Sequence, residues 1–318
     1  MVSEVGALGA RLVVVDAHGD RQAELLRSPS ERVRDTNPAI APDGKTIVFE
    51  SSRDRDDGKT SLWIAPLALD AVPVRLTTGA VDRQPAWSSD GRSIVFARAL
   101  ADHFDLYRLT LADRRLEPLT SAPGDEVTPS VASDGTIYYC AIGGAEAQTE
   151  AHIERLAPDG TSARVTSGPA DTAPAVSPDG KWIALSRPIV HAGTPDGDLW
   201  LMPRDGDAVT PLVELPISDE SGPVWSADGR YVFATSAVRS LADGRVLASS
   251  VIAVDVATRH ARILQDRSGY IARLTPAIVP RPFNRDERTA LAGDPEYVPT
   301  LARMLAKAIA AQSQEPPK

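Results

Sequence analysis

The chain is poor in several things at once. Among its 318 residues there is one cysteine, Cys140. No internal disulfide can form, and no cysteine zinc cluster is available. Asparagine occurs only as Asn37 and Asn284, and neither begins an N-glycosylation sequon. Basic residues are outnumbered: 34 Lys plus Arg stand against 43 Asp plus Glu, a formal charge of −9. A surface for nucleic acid or for an anionic membrane needs a basic patch, so the balance argues against both. No apolar run approaches the roughly 18 residues of a bilayer span. The stretch Leu12 to Val15 is too short for a signal h-region, and no basic segment precedes it. Gly-x-Ser-x-Gly, HExxH and CxxC are all missing. Gly44-Lys45-Thr46 and Gly58-Lys59-Thr60 have Ala39 and Arg53 where a Walker A loop needs its upstream glycine.

Proline and glycine, by contrast, are plentiful, with 26 and 22 copies, and neither is gathered into a linker. Evenly spread punctuation implies many short strands and turns. A repeat explains it. PAIAPDGKTIVF begins at Pro38, PAWSSDGRSIVF at Pro85, PSVASDGTIYY at Pro129, PAVSPDGKWIAL at Pro174 and PVWSADGRYVF at Pro223. A sixth copy, from Pro276, has lost its Asp-Gly turn. In each unit a short strand enters an Asp-Gly turn, which suits a type I turn followed by glycine in the left-handed region. A β-branched strand follows, such as Ile94-Val95-Phe96. A third strand comes next, such as Leu106-Tyr107-Arg108-Leu109, and a fourth ends near Leu-Thr. Four antiparallel strands per unit make a propeller blade.

The expected fold is therefore all-β: a six-bladed β-propeller over residues 10–292, preceded by an extension at 1–9. Residues 11–27 carry only third and fourth strands, and 276–292 only first and second, so the two ends should share one blade and leave no edge at the seam. From Pro299, Leu301, Met304, Leu305 and Ile309 recur at helical spacing. Residues 293–318 are accordingly expected to form a C-terminal amphipathic α-helix and a disordered tail.

The repeat resembles the Pro-Asp-Gly propeller repeat of TolB-type proteins, a WD40-like class, over nearly the whole chain. That resemblance implies a periplasmic or otherwise extracytoplasmic binding scaffold. A chain complete as given, with no export signal, would instead be cytoplasmic. The repeat is also similar to the propeller portions of prolyl-oligopeptidase-like peptidases and to oligogalacturonate lyases.

Candidate site residues come from the same alignment. Three residues before each repeat proline stands an acid: Asp35, Asp82, Glu126, Asp171 and Glu220, with Arg273 in the sixth copy. Ring symmetry gathers them where one blade hands over to the next, near the mouth of the central channel. Gathered carboxylates repel unless something compensates. Either each acid fixes its own turn by accepting N–H groups, or the set forms a channel-mouth site for a cation such as calcium or for a basic group of a partner. His103, His152 and His191 fall in or beside loops of the same face, and Arg98 and Arg187 end matching strands, where they could hold an acidic substrate or pair with nearby acids. Asp54 to Gly58 faintly resembles a calcium loop, but its glycine comes early and no closing carboxylate follows. The expected function is a non-enzymatic, monomeric ring that binds a protein or peptide partner at this face, with no cofactor required. The alternatives are a metal-assisted lyase or hydrolase acting on an acidic saccharide, and a regulatory propeller of a larger peptidase or sensor.

Overall fold

The computed structural model describes residues 2–5, 9–15, 22–55, 57–79, 81–100, 103–143, 151–168, 170–191, 194–206, 208–215, 218–239 and 246–266. They form twenty-three strands in six antiparallel sheets. The first sheet holds β1 (Val2–Val5), β2 (Ala10–Val15) and β3 (Gln22–Glu24). Blade 1 is β4 (Asp35–Ile40), β5 (Thr46–Ser51), β6 (Ser61–Pro66) and β7 (Val74–Arg75). Blade 2 is β8 (Asp82–Trp87), β9 (Ser93–Ala99), β10 (Phe104–Thr110) and β11 (Leu116–Pro118). Blade 3 is β12 (Asp125–Val131), β13 (Ile137–Ile142), β14 (Ala151–Leu156) and β15 (Ser162–Arg164). Blade 4 is β16 (Thr172–Val176), β17 (Trp182–His191), β18 (Thr194–Pro203) and β19 (Thr210–Val213). Blade 5 is β20 (Asp219–Trp225), β21 (Tyr231–Arg239), β22 (Val246–Asp255) and β23 (Ala261–Asp266). Within each blade the strands lie in sequence order.

The all-β propeller is thus present with five complete blades, one fewer than the repeat count predicts. The sixth position is represented by the three-stranded sheet. Its β2 and β3 are the expected third and fourth strands. Residues 276–292, expected to supply the other two, and the helix expected from Pro299 lie outside the described residues. β1 belongs to no repeat copy. It pairs with β2 on the side away from β3, Val2 opposite Val13 and Val5 opposite Ala10, and so holds the place of a second strand. Four residues with no Asp-Gly turn before them carry no repeat signal, which is why they read as an extension.

The repeat motif works as its residue types require. In blade 2 the Gly91 N–H donates to the Ser88 carbonyl at 2.9 Å, and Gly91 sits at φ 68°. The Asp90 carboxylate accepts from Ser88 Oγ at 2.7 Å and from the Arg92 N–H at 3.0 Å, closing an Asx-type turn. The corresponding glycines Gly44, Gly135, Gly180 and Gly229 share the positive φ. The middle strands are apolar without alternation because both faces of a blade are covered. Ile94 and Phe96 pack toward Val48 and Leu62 of blade 1, while Val95 and Ala97 pack toward Ile137 and Tyr139 of blade 3. The core is therefore a series of layers between blades, and the innermost strands are left to line the channel.

Candidate functional site

Every innermost strand carries a β-bulge at one repeat position. In β8, Gln84 and Pro85 stand against a single residue of β9, because the register steps from Arg83↔Ala97 to Ala86↔Val95. β4, β12, β16 and β20 repeat the step. The first bulged residue always has positive φ: Asn37 at 47°, Gln84 at 52°, Thr128 at 52°, Ala173 at 50° and Gly222 at 65°. Four of the five are not glycine, so the ring holds backbone strain at its inner wall.

These bulges border a cavity of about 590 Å³ enclosed by the first strands of all five blades. It runs from the bulges to the hairpin turns at Pro42, Ser89, Ser133 and Pro178. Among the described residues none that lines it is charged, in a chain where 24% of residues are. Two indoles line it with fixed orientation. Trp87 Nε1 donates to the Ala39 carbonyl of blade 1 at 3.0 Å, and Trp225 Nε1 donates to the Ala175 carbonyl of blade 4 at 2.8 Å. Side-chain acceptors tie the bulges together from blade to blade. Glu50 Oε1 accepts the Gln84 N–H at 2.6 Å, and Gln84 Oε1 accepts the Thr128 N–H at 3.0 Å. Burial pushes the Glu50 carboxyl above the usual range, although the Gln84 N–H and the amide of Asn37 act against it.

The five acids do not line this cavity. Asp35, Asp82, Glu126, Asp171 and Glu220 are all buried, behind the wall and at the opposite end from the hairpin turns. Three are neutralised by arginine. Arg98 forks onto Asp82 (2.7 and 3.0 Å) and Arg187 onto Asp171 (2.6 and 2.9 Å). Arg53 forks onto Asp35 (3.1 and 2.6 Å), with Ser51 Oγ adding a third bond at 2.6 Å. Arg98 lies over the rings of Phe96 and Tyr107 at 5.4 and 5.3 Å, and Arg187 over Trp200 at 5.0 Å. Such bidentate, stacked guanidinium groups are committed to the fold.

The other two acids are glutamates, and no arginine stands opposite them. Glu126 is registered with Ala141, and Glu220 with Ser236. The longer side chain reaches out of its own blade instead. Glu126 has Asp105 on β10 of blade 2 as a neighbour, and Glu220 has Asp198 on β18 of blade 4. Glu220 also accepts from Ser236 Oγ at 2.8 Å. Burial raises the Glu126 carboxyl to about 8, with Asp105 adding to the rise. Burial raises Glu220 well above its ordinary value, with Asp198 as a contributing neighbour.

The remaining candidates are dispersed. His103 Nε2 stands 3.6 Å from Asp105, and His152 Nε2 lies 3.1 Å from Glu154 Oε1, whose other oxygen accepts from Tyr139 at 2.7 Å. His191 ends β17, in a different blade from either. Arg273 lies outside the described residues. Arg55 forks onto Asp57 (2.9 and 2.8 Å), which occupies that carboxylate in the loop compared with a calcium site. Among the described residues no group of three or more His, Cys, Asp or Glu is arranged to hold a metal ion. Glu50, Asp105, Asp198 and the bulged residues were not singled out from the sequence. A trace of them is visible there, as Asp before Leu-Tyr or Leu-Trp in the third strands of blades 2 and 4.

No family model matches the chain. An uncharacterized protein of Agrobacterium fabrum, Atu1656, is 26% identical over 220 residues, spanning 66% of this chain and 73% of that protein. The crystal structure of TolB from Acinetobacter baumannii superposes with a TM-score of 0.69 at 21% identity over 88% of this chain. The fold is a TolB-like β-propeller. The match spans 66% of that TolB, just under two thirds of its length. The TolB-like architecture also superposes on an oligogalacturonate lyase in complex with manganese, with a TM-score of 0.56 at 17% identity over 81% of this chain. At these identities the likeness is one of fold.

Proposed function

We propose that this chain is a non-enzymatic binding scaffold that takes an extended, uncharged segment of a protein or peptide partner into its channel. The observation that carries the reading is the cavity itself: about 590 Å³, with no charged side chain among its described lining residues, two oriented tryptophans and a proline from each of the five blades. Rigid indoles and prolines bury area at little entropic cost, and a wall without charges imposes no charge-desolvation penalty on an apolar guest that packs against it. The likeness to TolB supports the same reading at the level of fold. Closure into six blades belongs to it as well. β1 is an edge of its sheet among the described residues, and the innermost place beyond it suits the strand expected from Pro276. The amphipathic segment from Pro299 would then follow that seam.

The lyase alternative draws on fold likeness alone. Arg98 and Arg187, the side chains suited to an acidic saccharide, are engaged by Asp82 and Asp171. A phage-displayed peptide library panned on the purified chain tests the scaffold reading. Uncharged, apolar sequences should be enriched, and Trp87→Ala should abolish that enrichment. Enrichment of acidic or basic peptides, or enrichment indifferent to Trp87, would sink it.

A further inference from the structure

The five bulged residues differ in what they present to the channel. From blade 1 to blade 5 they are Asn37, Gln84, Thr128, Ala173 and Gly222, and all five line the cavity. Side-chain reach falls away after blade 2. A Cβ placed on Gly222 would meet no neighbouring atom of the described residues within 4 Å, so the lumen is open in front of blade 5. Gln84 has the longest side chain of the five, and it is fixed at both ends. Its own N–H donates to Glu50 Oε1 of blade 1 at 2.6 Å, and its Oε1 accepts the Thr128 N–H of blade 3 at 3.0 Å. Glu50 is held in turn, because Oε1 also accepts from Asn37 Nδ2 at 2.5 Å and Oε2 accepts from Thr36 Oγ1 at 3.3 Å. The Thr128 N–H decides which way the carboxamide faces, since only its oxygen can accept. Nε2 then finds no hydrogen-bond partner among the described residues and is not shielded from solvent.

We propose that Gln84 sets the orientation of the guest: Nε2 donates to a main-chain carbonyl oxygen of an extended peptide segment that fills the lumen between Gln84 and Gly222. The inference rests on the binding reading of the channel and adds a polar contact to it.

Other polar groups of the inner wall are already engaged. The indole N–H groups of Trp87 and Trp225 are spent on the Ala39 and Ala175 carbonyls. Asn37 Nδ2 is spent on Glu50, and Ser130 Oγ accepts the Val176 N–H of blade 4 at 3.0 Å. Thr128 Oγ1 has no partner but is shielded from solvent, and Ala173 and Gly222 carry no polar side chain. Among the bulged residues the Gln84 amide is thus the donor turned toward the lumen. Its ties to blades 1 and 3 leave it little rotamer freedom to lose on binding. A main-chain carbonyl is the acceptor that an uncharged segment carries whatever its side chains. A carboxylate would find no cation among the described lining residues to offset its desolvation.

The test pans one phage-displayed random peptide library in parallel on the full wild-type chain and on Gln84→Glu. Glutamate keeps the oxygen that the Thr128 N–H needs and replaces the amide donor by an acceptor. Peptides enriched on the wild type should bind the variant roughly tenfold or more weakly, while its Tm stays close to that of the wild type. The variant's own enriched peptides should carry Lys or Arg at one recurrent position. Equal affinity of the uncharged peptides for both proteins would overturn the role of Gln84 and leave the binding reading standing. Failure of the wild type to enrich any peptide would remove the binding reading and this inference with it. If the glutamate variant does not fold, ester substitution decides, because an ester carbonyl accepts more weakly than an amide. Each backbone amide of the strongest wild-type peptide is replaced in turn, and binding is measured on the wild type and on Gln84→Met. One position should cost the wild type several-fold and the methionine variant nothing. The absence of such a position would overturn the proposal.

Discussion

Two kinds of blade junction hold this ring together, and they solve one problem in opposite ways. Where the chain crosses into blades 2 and 4, the buried acid is an aspartate, Asp82 or Asp171. Its charge is cancelled inside the same blade by Arg98 or Arg187 stacked on Tyr107 or Trp200. Where it crosses into blades 3 and 5, the acid is a glutamate, with Asp105 or Asp198 of the preceding blade as a neighbour. In blades 2 to 5 side-chain length follows the residue opposite, whereas in blade 1 the short Asp35 stands opposite Ser51 and is met by Arg53. An arginine leaves room for a short acid, whereas Ala141 or Ser236 leaves a gap that the longer acid crosses. Blades 2 and 3 together, and blades 4 and 5 together, thus form a two-blade unit that occurs twice. The single-blade repeat conceals this. One junction class is closed by an ion pair within a blade, and the other sets two acids of neighbouring blades side by side.

The comparison can be broken first at the arginine class. Replacing Asp82 by Ala strands the Arg98 guanidinium, which is only 13% exposed. The expected loss is about 3 kcal/mol by denaturant titration. Most of it should return in Asp82→Ala with Arg98→Met, since an apolar pair leaves no orphaned charge. A loss below about 1 kcal/mol would place this pair among ordinary surface ion pairs.

Next comes Gly168, against which Arg187 lies. A Cβ there would stand 2.2 Å from Arg187 Nη2 and 2.5 Å from its Cζ. Gly168→Ala should displace the guanidinium from Asp171 and Trp200 at a cost of about 2 kcal/mol. An unchanged unfolding midpoint would mean that Arg187 has another place to go. The smallest effect separates strain from junction chemistry. Thr128 is β-branched and sits at φ 52°, and its Oγ1 has no partner. Thr128→Gly should stabilise by about 0.5 kcal/mol, relief of left-handed strain outweighing the entropy of the added glycine. The pH dependence of Tm should stay as in the wild type. A fall in stability would show that the threonine methyl packs usefully in the channel wall.

Much of the architecture was legible in the residues. The Asp-Gly turns, the apolar middle strands and the blade spacing all rest on local chemistry that recurs in each copy. The acids were legible as a set because they stand at one offset from the repeat proline. Their partners were not. Arg98 is 16 residues from Asp82, Arg187 is 16 from Asp171, and Arg53 is 18 from Asp35, so Arg98 and Arg187 were seen without being matched to these two acids, and Arg53 was not singled out as a partner. The five acids are buried rather than on the lining of the cavity. Ring symmetry places the five residues near the axis but does not say whether they point into the channel or back into the wall. The bulges went unseen because Asn, Gln, Thr and Ala are not residues that announce a positive φ. β1 went unseen because it lies outside the repeat.

The residues alone determined that this is an all-β propeller built from Asp-Gly hairpins, since turn geometry and two-sided burial are settled within a few neighbouring positions. Only the tertiary structure decided which carboxyl group meets an arginine and which meets another carboxyl. It also decided that the five described inner strands line the channel without charge. Those outcomes depend on contacts between blades, where the length and direction of a side chain count for more than its order in the chain.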